Sequence, residues 1–175
     1  MRFLTLLLLS LSLLFSASKV PEAVLQTSAG EIELVLMPKV APKAVENFLT
    51  HIKNGYYNKG SFHRIIKNFM IQGGDPKGTG YGGESIWGKG FAKEVHDDVT
   101  FNRAGLLAMA RTSAPSSQGS QFFITTAAAN HLNGDYTIFG EVKPQSMKVV
   151  RLLENTKTRG DSPYKNPVII KAWVK

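Results

Sequence analysis

The chain has 175 residues, enough for one domain whose single core buries roughly two thirds of the surface that the unfolded form exposes. It contains no cysteine, so neither a disulfide nor a thiolate metal site can contribute to it. The formal charge of +8 comes from Lys and Arg spread one or two at a time with no run of three, a basic soluble surface and no nucleic-acid interface.

The first segment, MRFLTLLLLSLSLLFSAS, carries one basic residue, Arg2, then an apolar run from Phe3 to Phe15 relieved only by Thr and Ser. The small residues Ser16, Ala17 and Ser18 follow. This is the pattern of a secretory signal peptide over residues 1–18, and the apolar run is short for a membrane-spanning helix. Cleavage would leave a mature domain over residues 19–175 with no stable membrane insertion, periplasmic or secreted, the lumen of the secretory pathway being the alternative. No cysteine follows the run to carry a lipid and no Asn-x-Ser/Thr sequon occurs, which favours a periplasm.

From Ala23 to Leu36 the segments VLQT, SAG and EIELVL predict a hairpin, with Ile32, Leu34 and Leu36 in strand alternation. The period then changes: Ala41, Val45, Phe48, Leu49 and Ile52 recur at three and four, Pro42 suits a first helical turn and Gly55 a position past the end, so residues 42–53 form an amphipathic helix. FHRIIKNFMIQGGDPKG, Phe62 to Gly78, reads as a strand carrying His63, Arg64 and Gln72 in an apolar run. The glycines of Gly73 to Gly90 mark a long loop. Short strands resume at LLAMA (106–110), FFIT (122–125), TIFGEV (137–142) and VIIKAWV (168–174). Asn133-Gly134 signals a turn, and MKVVRLL (147–153) after Pro144 reads as a second helix. About eight strands in so short a chain are best satisfied by closing the sheet, so the expected fold is mainly β, a closed antiparallel barrel with helices over its ends.

GTGYGG is followed by ESIWGKGF, with two more glycines, and not by the helix that a dinucleotide-binding loop needs, and no serine lies in a Gly-x-Ser-x-Gly elbow. The histidines, His51, His63, His96 and His131, have no metal-like spacing. Neither a metal nor a cofactor is expected. What remains is the stretch from Phe62 and a second one, MARTSAPSSQGSQFFIT, where Arg111, Gln118 and Gln121 lie among aromatics. Strand alternation puts Arg64 on the face of Phe62 and Ile66, an apolar side on which a guanidinium needs a purpose. Two such segments suggest one shared groove.

FHRIIKNFMIQGGD and GSQFFIT, with APKAVENF, GTGYGGESIWGKGFAKE and HLNGDYTIFGEV, closely resemble the cyclophilins, the peptidyl-prolyl cis-trans isomerases inhibited by cyclosporin. The likeness runs in order over about residues 23–174. It implies an eight-stranded antiparallel barrel capped by two helices, acting without a cofactor on proline-containing polypeptides, here unfolded or folding exported proteins, and working as a monomer. By motif it makes Arg64 the catalytic residue; Phe69, Met70, Phe123 and Leu132 the proline pocket; and Gln72, Gln121, Ala110, Arg111 and Thr112 the binders of peptide backbone. A well-known human member has tryptophan where this chain has His131 and histidine where it has Tyr136, so these two would shape the rim and weaken cyclosporin binding. Met109-Ala110-Arg111-Thr112 is similar to bacterial members. A barrel that holds unfolded chains as a chaperone, with little turnover, is the rival reading, and an exported basic protein that binds anionic polymers is a third.

Overall fold

The structure is a computed structural model that describes residues 20–175, and the expected signal peptide lies outside the described residues. The predicted hairpin is formed by β1 (Glu22–Thr27) and β2 (Gly30–Leu36), with Leu25 opposite Ile32. Thr27 closes the turn: its hydroxyl donates to the Gly30 carbonyl at 2.7 Å and accepts the Ala29 N–H at 3.1 Å. Helix α1 (Pro42–Lys53) has the expected bounds and buries Ala44, Val45, Phe48 and Ile52 on one side. Ala41 provides no side-chain cap, and the carboxylate of Glu94 takes its place, accepting the N–H groups of Lys43 at 3.0 Å and Ala44 at 2.9 Å. An anion there also meets the positive end of the helix dipole.

The stretch expected as one strand is a hairpin of β3 (Arg64–Ile66) and β4 (Met70–Gly73). The chain reverses at Asn68, whose φ of 57° lies in the left-handed region that Asn tolerates, and the Asn68 N–H is held by Glu154 at 2.7 Å. Phe62 and Arg64 do not share a face as expected. Strand pairing starts only at Arg64, so Phe62 turns into the core against Phe122 while the Arg64 side chain remains 42% exposed.

The remaining elements are β5 (Leu106–Met109), β6 (Phe122–Thr125), β7 (Ile138–Val142), α2 (Met147–Glu154), a small hairpin of β8 (Thr158–Arg159) and β9 (Ser162–Pro163), and β10 (Ile169–Val174). Eight strands form one antiparallel sheet in the order β10-β1-β2-β7-β5-β6-β4-β3. The expected closed barrel is therefore corrected to a curled, open half-barrel. Its end strand β3 is three residues long, and its outer edge is taken by the β8–β9 hairpin, where the Asp161 carbonyl accepts the Ile65 N–H at 2.9 Å. The segment before β3 meets the start of β10, where the Lys59 N–H donates to the Ile169 carbonyl and the Ile169 N–H to the Gly60 carbonyl, both at 2.8 Å, with a Ser61–Val168 bridge just ahead of the strand.

Every residue of β5 and β6 is buried, so these strands are covered on both faces and read as continuous apolar runs. Leu107, Met109, Phe122 and Ile124 point into the barrel with Phe48, Tyr57 and Phe139. Leu106, Ala108, Phe123 and the β4 residue Met70 point the other way, with Phe101, Leu132 and Ile138, and build a second apolar cluster outside the barrel. Phe122 meets Phe48, Tyr57 and Phe62 edge to face, at ring separations of 5.4, 5.4 and 6.3 Å. Replacing it leaves a cavity that rings held by three different elements cannot fill. Phe122→Ala is expected to cost about 3–5 kcal/mol in urea unfolding, and a loss below about 1 kcal/mol would show that the core collapses around the gap.

Candidate active site

Strand register sets the site. Arg64 on β3 lies opposite Gln72 on β4, Gln72 opposite Phe123 on β6, and Phe123 opposite Ala108 on β5. Directly opposed residues share a face, so one row across four strands carries a guanidinium, a carboxamide, an aromatic ring and a small side chain. The next row holds Ile66 and Met70. Arg64, Gln72, Met70 and Phe123 thus lie over the second apolar cluster, and together they line a groove of about 680 Å³.

The groove also takes in Phe69, Ala110, Arg111, His131, Leu132 and Tyr136. Thr112 and Gln121 line a smaller adjoining cavity of about 270 Å³, to which Gln72, Ala110 and Arg111 also contribute. Every site residue expected from the sequence therefore falls in one of two neighbouring cavities. The apolar wall is ordered by ring contacts: Phe101 stacks on Phe123 at 6.0 Å, Tyr136 meets Phe123 edge-on at 5.8 Å, and His131 lies 5.3 Å from Phe69.

Arg64 is held from two sides. Its Nε and Nη2 each lie 3.1 Å from Asp161 Oδ2, and its Nη1 donates to Gln72 Oε1 at 3.4 Å. The chain of bonds continues: Gln72 Nε2 donates to Gln121 Oε1 at 2.8 Å, and Gln121 Nε2 donates to the carbonyls of Gly80 at 3.0 Å and Gly82 at 2.8 Å. Each amide orientation is set by the next partner, so the guanidinium is tied to the glycine loop on one side and to the β8–β9 hairpin on the other.

The glycine loop is ordered around the buried carboxylate of Asp75. It accepts the N–H groups of Lys77 at 2.9 Å, Thr79 at 2.8 Å and Gly80 at 2.7 Å. Burial opposes the charge, but these bonds and the Gly82 N–H outweigh it and keep the Asp75 carboxyl below its usual range. A Cβ at Gly82 would overlap the Asp75 carboxylate, and Gly80 has φ of 84°, so both positions need glycine. From the other side, buried Asn47 of α1 donates to the Gly119 carbonyl and accepts the Ile86 N–H, both at 2.9 Å.

Asp161, Ser162, His63 and the Thr79–Gly80–Tyr81 wall also line the groove, and sequence reasoning assigned none of them to the site. Asp161 stands 97 residues from Arg64, between two-residue strands that carry no periodic signal. His63 was visible beside Arg64, but its burial was not: Ser61 and Gln121 lie near the ring, yet neither ring nitrogen makes a hydrogen bond of good geometry. Burial pushes the His63 imidazole down, the Asp75 carboxylate opposes that, and the Arg64 charge adds to the lowering. Burial likewise pushes down His51, whose Nε2 lies 3.0 Å from the Glu84 carbonyl and so donates its proton there. Among the described residues no group of three or more His, Cys, Asp or Glu could hold a metal ion, and no helix is long and apolar enough to cross a membrane.

Residues 23–174 match the family described as cyclophilin type peptidyl-prolyl cis-trans isomerase/CLD. The chain is 51% identical over 140 residues to peptidyl-prolyl cis-trans isomerase CYP18-1 of Arabidopsis thaliana, covering 79% of this chain and 86% of that protein. It is 44% identical over 161 residues to peptidyl-prolyl cis-trans isomerase CYP71 of the same plant; 91% of this chain is matched, but only 25% of that longer protein. A crystal structure of a Cryptosporidium parvum cyclophilin type peptidyl-prolyl cis-trans isomerase, in the presence of the dipeptide Ala-Pro, superposes with a TM-score of 0.84 at 38% identity, covering 88% of this chain and 98% of that one. The chain belongs to the cyclophilin-type peptidyl-prolyl cis-trans isomerase family.

The two lowered histidines have a measurable consequence. Below the ordinary imidazole value of 6.5 the unfolded chain binds more protons than the folded one, so the stability they contribute is whole above that pH and lost as pH falls through it. Asp75, lowered from 3.8, adds a second loss at more acid pH. The urea midpoint should be flat from about pH 8 to 7 and fall between about pH 6.5 and 5, and His63→Gln should flatten part of that fall. A midpoint unchanged down to pH 5 would show that both rings accept protons freely in the fold.

Proposed function

We propose that this chain turns X-Pro peptide bonds between cis and trans, with Arg64 donating to the proline nitrogen. The observation that carries the reading is a guanidinium pinned by Asp161 and Gln72 at the edge of an apolar pocket of Phe69, Met70, Phe123 and Leu132, inside one groove. The resting peptide bond is planar, and resonance sets a barrier of about 18–20 kcal/mol to its rotation. At the top of the barrier resonance is lost and the nitrogen lone pair is localised. A donor aimed at that lone pair stabilises the twisted state and gives little to either planar one, which is the condition for acceleration.

The apolar wall would grip the pyrrolidine ring and keep water from the guanidinium, which strengthens its bond to the nitrogen. Gln72, Gln121, Ala110, Arg111 and Thr112 would hold the flanking peptide, so rotation is confined to one bond. No bond to the protein forms. Proline-containing peptides as substrates are supported by the Ala-Pro present with the Cryptosporidium relative. His131 and Tyr136, packed on Phe69 and Phe123, would set what fits beside the ring and weaken cyclosporin binding.

The wider setting rests on the sequence. The leader of residues 1–18 supports export, to a periplasm or beyond, where the clients would be proteins folding after translocation and the enzyme would act as a monomer. The relatives named above are eukaryotic, so bacterial character rests on Met109–Thr112 and export on the leader.

Arg64→Ala is expected to lower kcat/KM on a prolyl peptide by about 100-fold, the scale on which removing one such donor acts. Asp161→Asn keeps the guanidinium but frees it, and because that pair is half exposed the expected loss is only about two- to fivefold, mainly in kcat. Exchange NMR on cis and trans peptide signals reads both. A rate within about twofold of wild type for Arg64→Ala would remove Arg64 from the reaction.

A further inference from the structure

The groove holds a second arginine that no carboxylate pairs directly. Arg111 lines both the larger groove and the smaller cavity, so a peptide that extends from one into the other must pass it. Arg64 has the carboxylate of Asp161, and Lys93 has that of Asp135 at 3.0 Å. Among the described residues Arg111 has no carboxylate within ion-pair distance; the Asp135 carboxylate acts on it only through space and is itself paired with Lys93. Its donors go to backbone carbonyls: Nη1 to Asp135 at 3.2 Å, Nη2 to Ser113 and Ala114, each at 3.4 Å. Its Nε is buried without a partner, and its Cζ lies 5.8 Å from the centre of the Tyr136 ring.

Carbonyls and a ring face fix where a guanidinium sits but leave its formal charge whole. A half-buried, preorganised cation whose donors are only weakly engaged attracts an anion, and the fixed orientation lowers the entropy lost when one binds. We propose that Arg111 makes the groove selective for prolyl peptides that carry Asp or Glu within three residues of the proline, on the side that runs into the smaller cavity. The proposal rests on the reading of the groove as a prolyl-peptide site and adds the substrate class that site prefers. The chain's excess of positive charge works in the same direction, by drawing acidic segments toward the surface. A basic residue at the same peptide position would bring two cations together and be disfavoured.

The test is a set of single-proline peptides with Glu, Gln or Lys placed in turn at each of the three positions on either side of proline. Exchange NMR gives the catalysed rate, and chemical-shift titration gives affinity without requiring turnover. At one or more positions Glu should exceed Lys about fivefold in both measures at low salt, with Gln between, and the ratio should shrink in about 0.5 M NaCl. Arg111→Gln should bring Glu and Lys within about twofold, whereas Arg111→Lys, which keeps the charge, should preserve their order. Equal values for Glu and Lys at every position in the unaltered protein would overturn the proposal, as would a ratio that survives Arg111→Gln. Should Arg111→Gln fail to fold, a ratio insensitive to salt in the unaltered protein would overturn it as well. Charge-selective binding with no catalysed exchange would sink the isomerase reading and leave the selection standing.

Discussion

A guanidinium on an apolar floor is the constraint around which the groove is organised. Arg64 shares its row with Phe123 and lies over Met70, so its half-exposed guanidinium faces an apolar floor on one side and must be held in place by polar partners on the others. Asp161 answers the charge and Gln72 takes a donor, so both requirements are met from the flanks while the face toward the pocket stays open. The same constraint explains the ends of the sheet. The hairpin that brings Asp161 to Arg64 also takes up the outer edge of β3, and the sheet therefore stops there instead of closing onto β10.

The middle strands do two jobs at once. Side chains of β4, β5 and β6 that point inward fill the barrel, and their neighbours that point outward become the floor of the groove. A change in the core is therefore felt in the site one residue away. The glycine loop needs a separate support because its few apolar side chains, Tyr81, Ile86 and Trp87, lie outside both apolar clusters. Asp75 gathers its N–H groups from one side and Asn47 bolts the adjoining segment to α1 from the other, which turns a long irregular segment into a fixed wall.

What could be read from the sequence follows from how local each signal is. Helix α1 was legible to the residue because its stripe, its Pro42 and its Gly55 all lie within fifteen residues, and the β1–β2 hairpin because alternation and turn are adjacent. The Arg64–Gln72–Phe123 site was legible because its motifs resemble a known family over nearly the whole described chain. The β3–β4 turn was hidden, since Lys67 and Asn68 carry no Gly or Pro and the apolar pattern runs on across them. Strand count suggested closure, but whether a sheet closes depends on what occupies its last edge, and here that is a carbonyl far along the chain. Asp161, the lack of a direct ion pair at Arg111 and the burial of His63 were illegible for the same reason: each depends on what other segments place around it.

The pairing of β1 with β10 sets when the fold can be completed. Ala23 lies opposite Val174 and Leu25 opposite Ala172, so the first described strand is flanked by the last. A ribosome releases the chain from its N-terminus, and β1 therefore waits through the synthesis of almost the entire domain for its second neighbour. Contacts of such sequence separation make folding slow and late, since the whole intervening chain must be ordered before they can form. During that interval β1 presents an open edge with apolar Val24 and Leu25 on it, a substrate for holding factors and a hazard in their absence. A fold whose first and last strands must meet is, by its own topology, completed late.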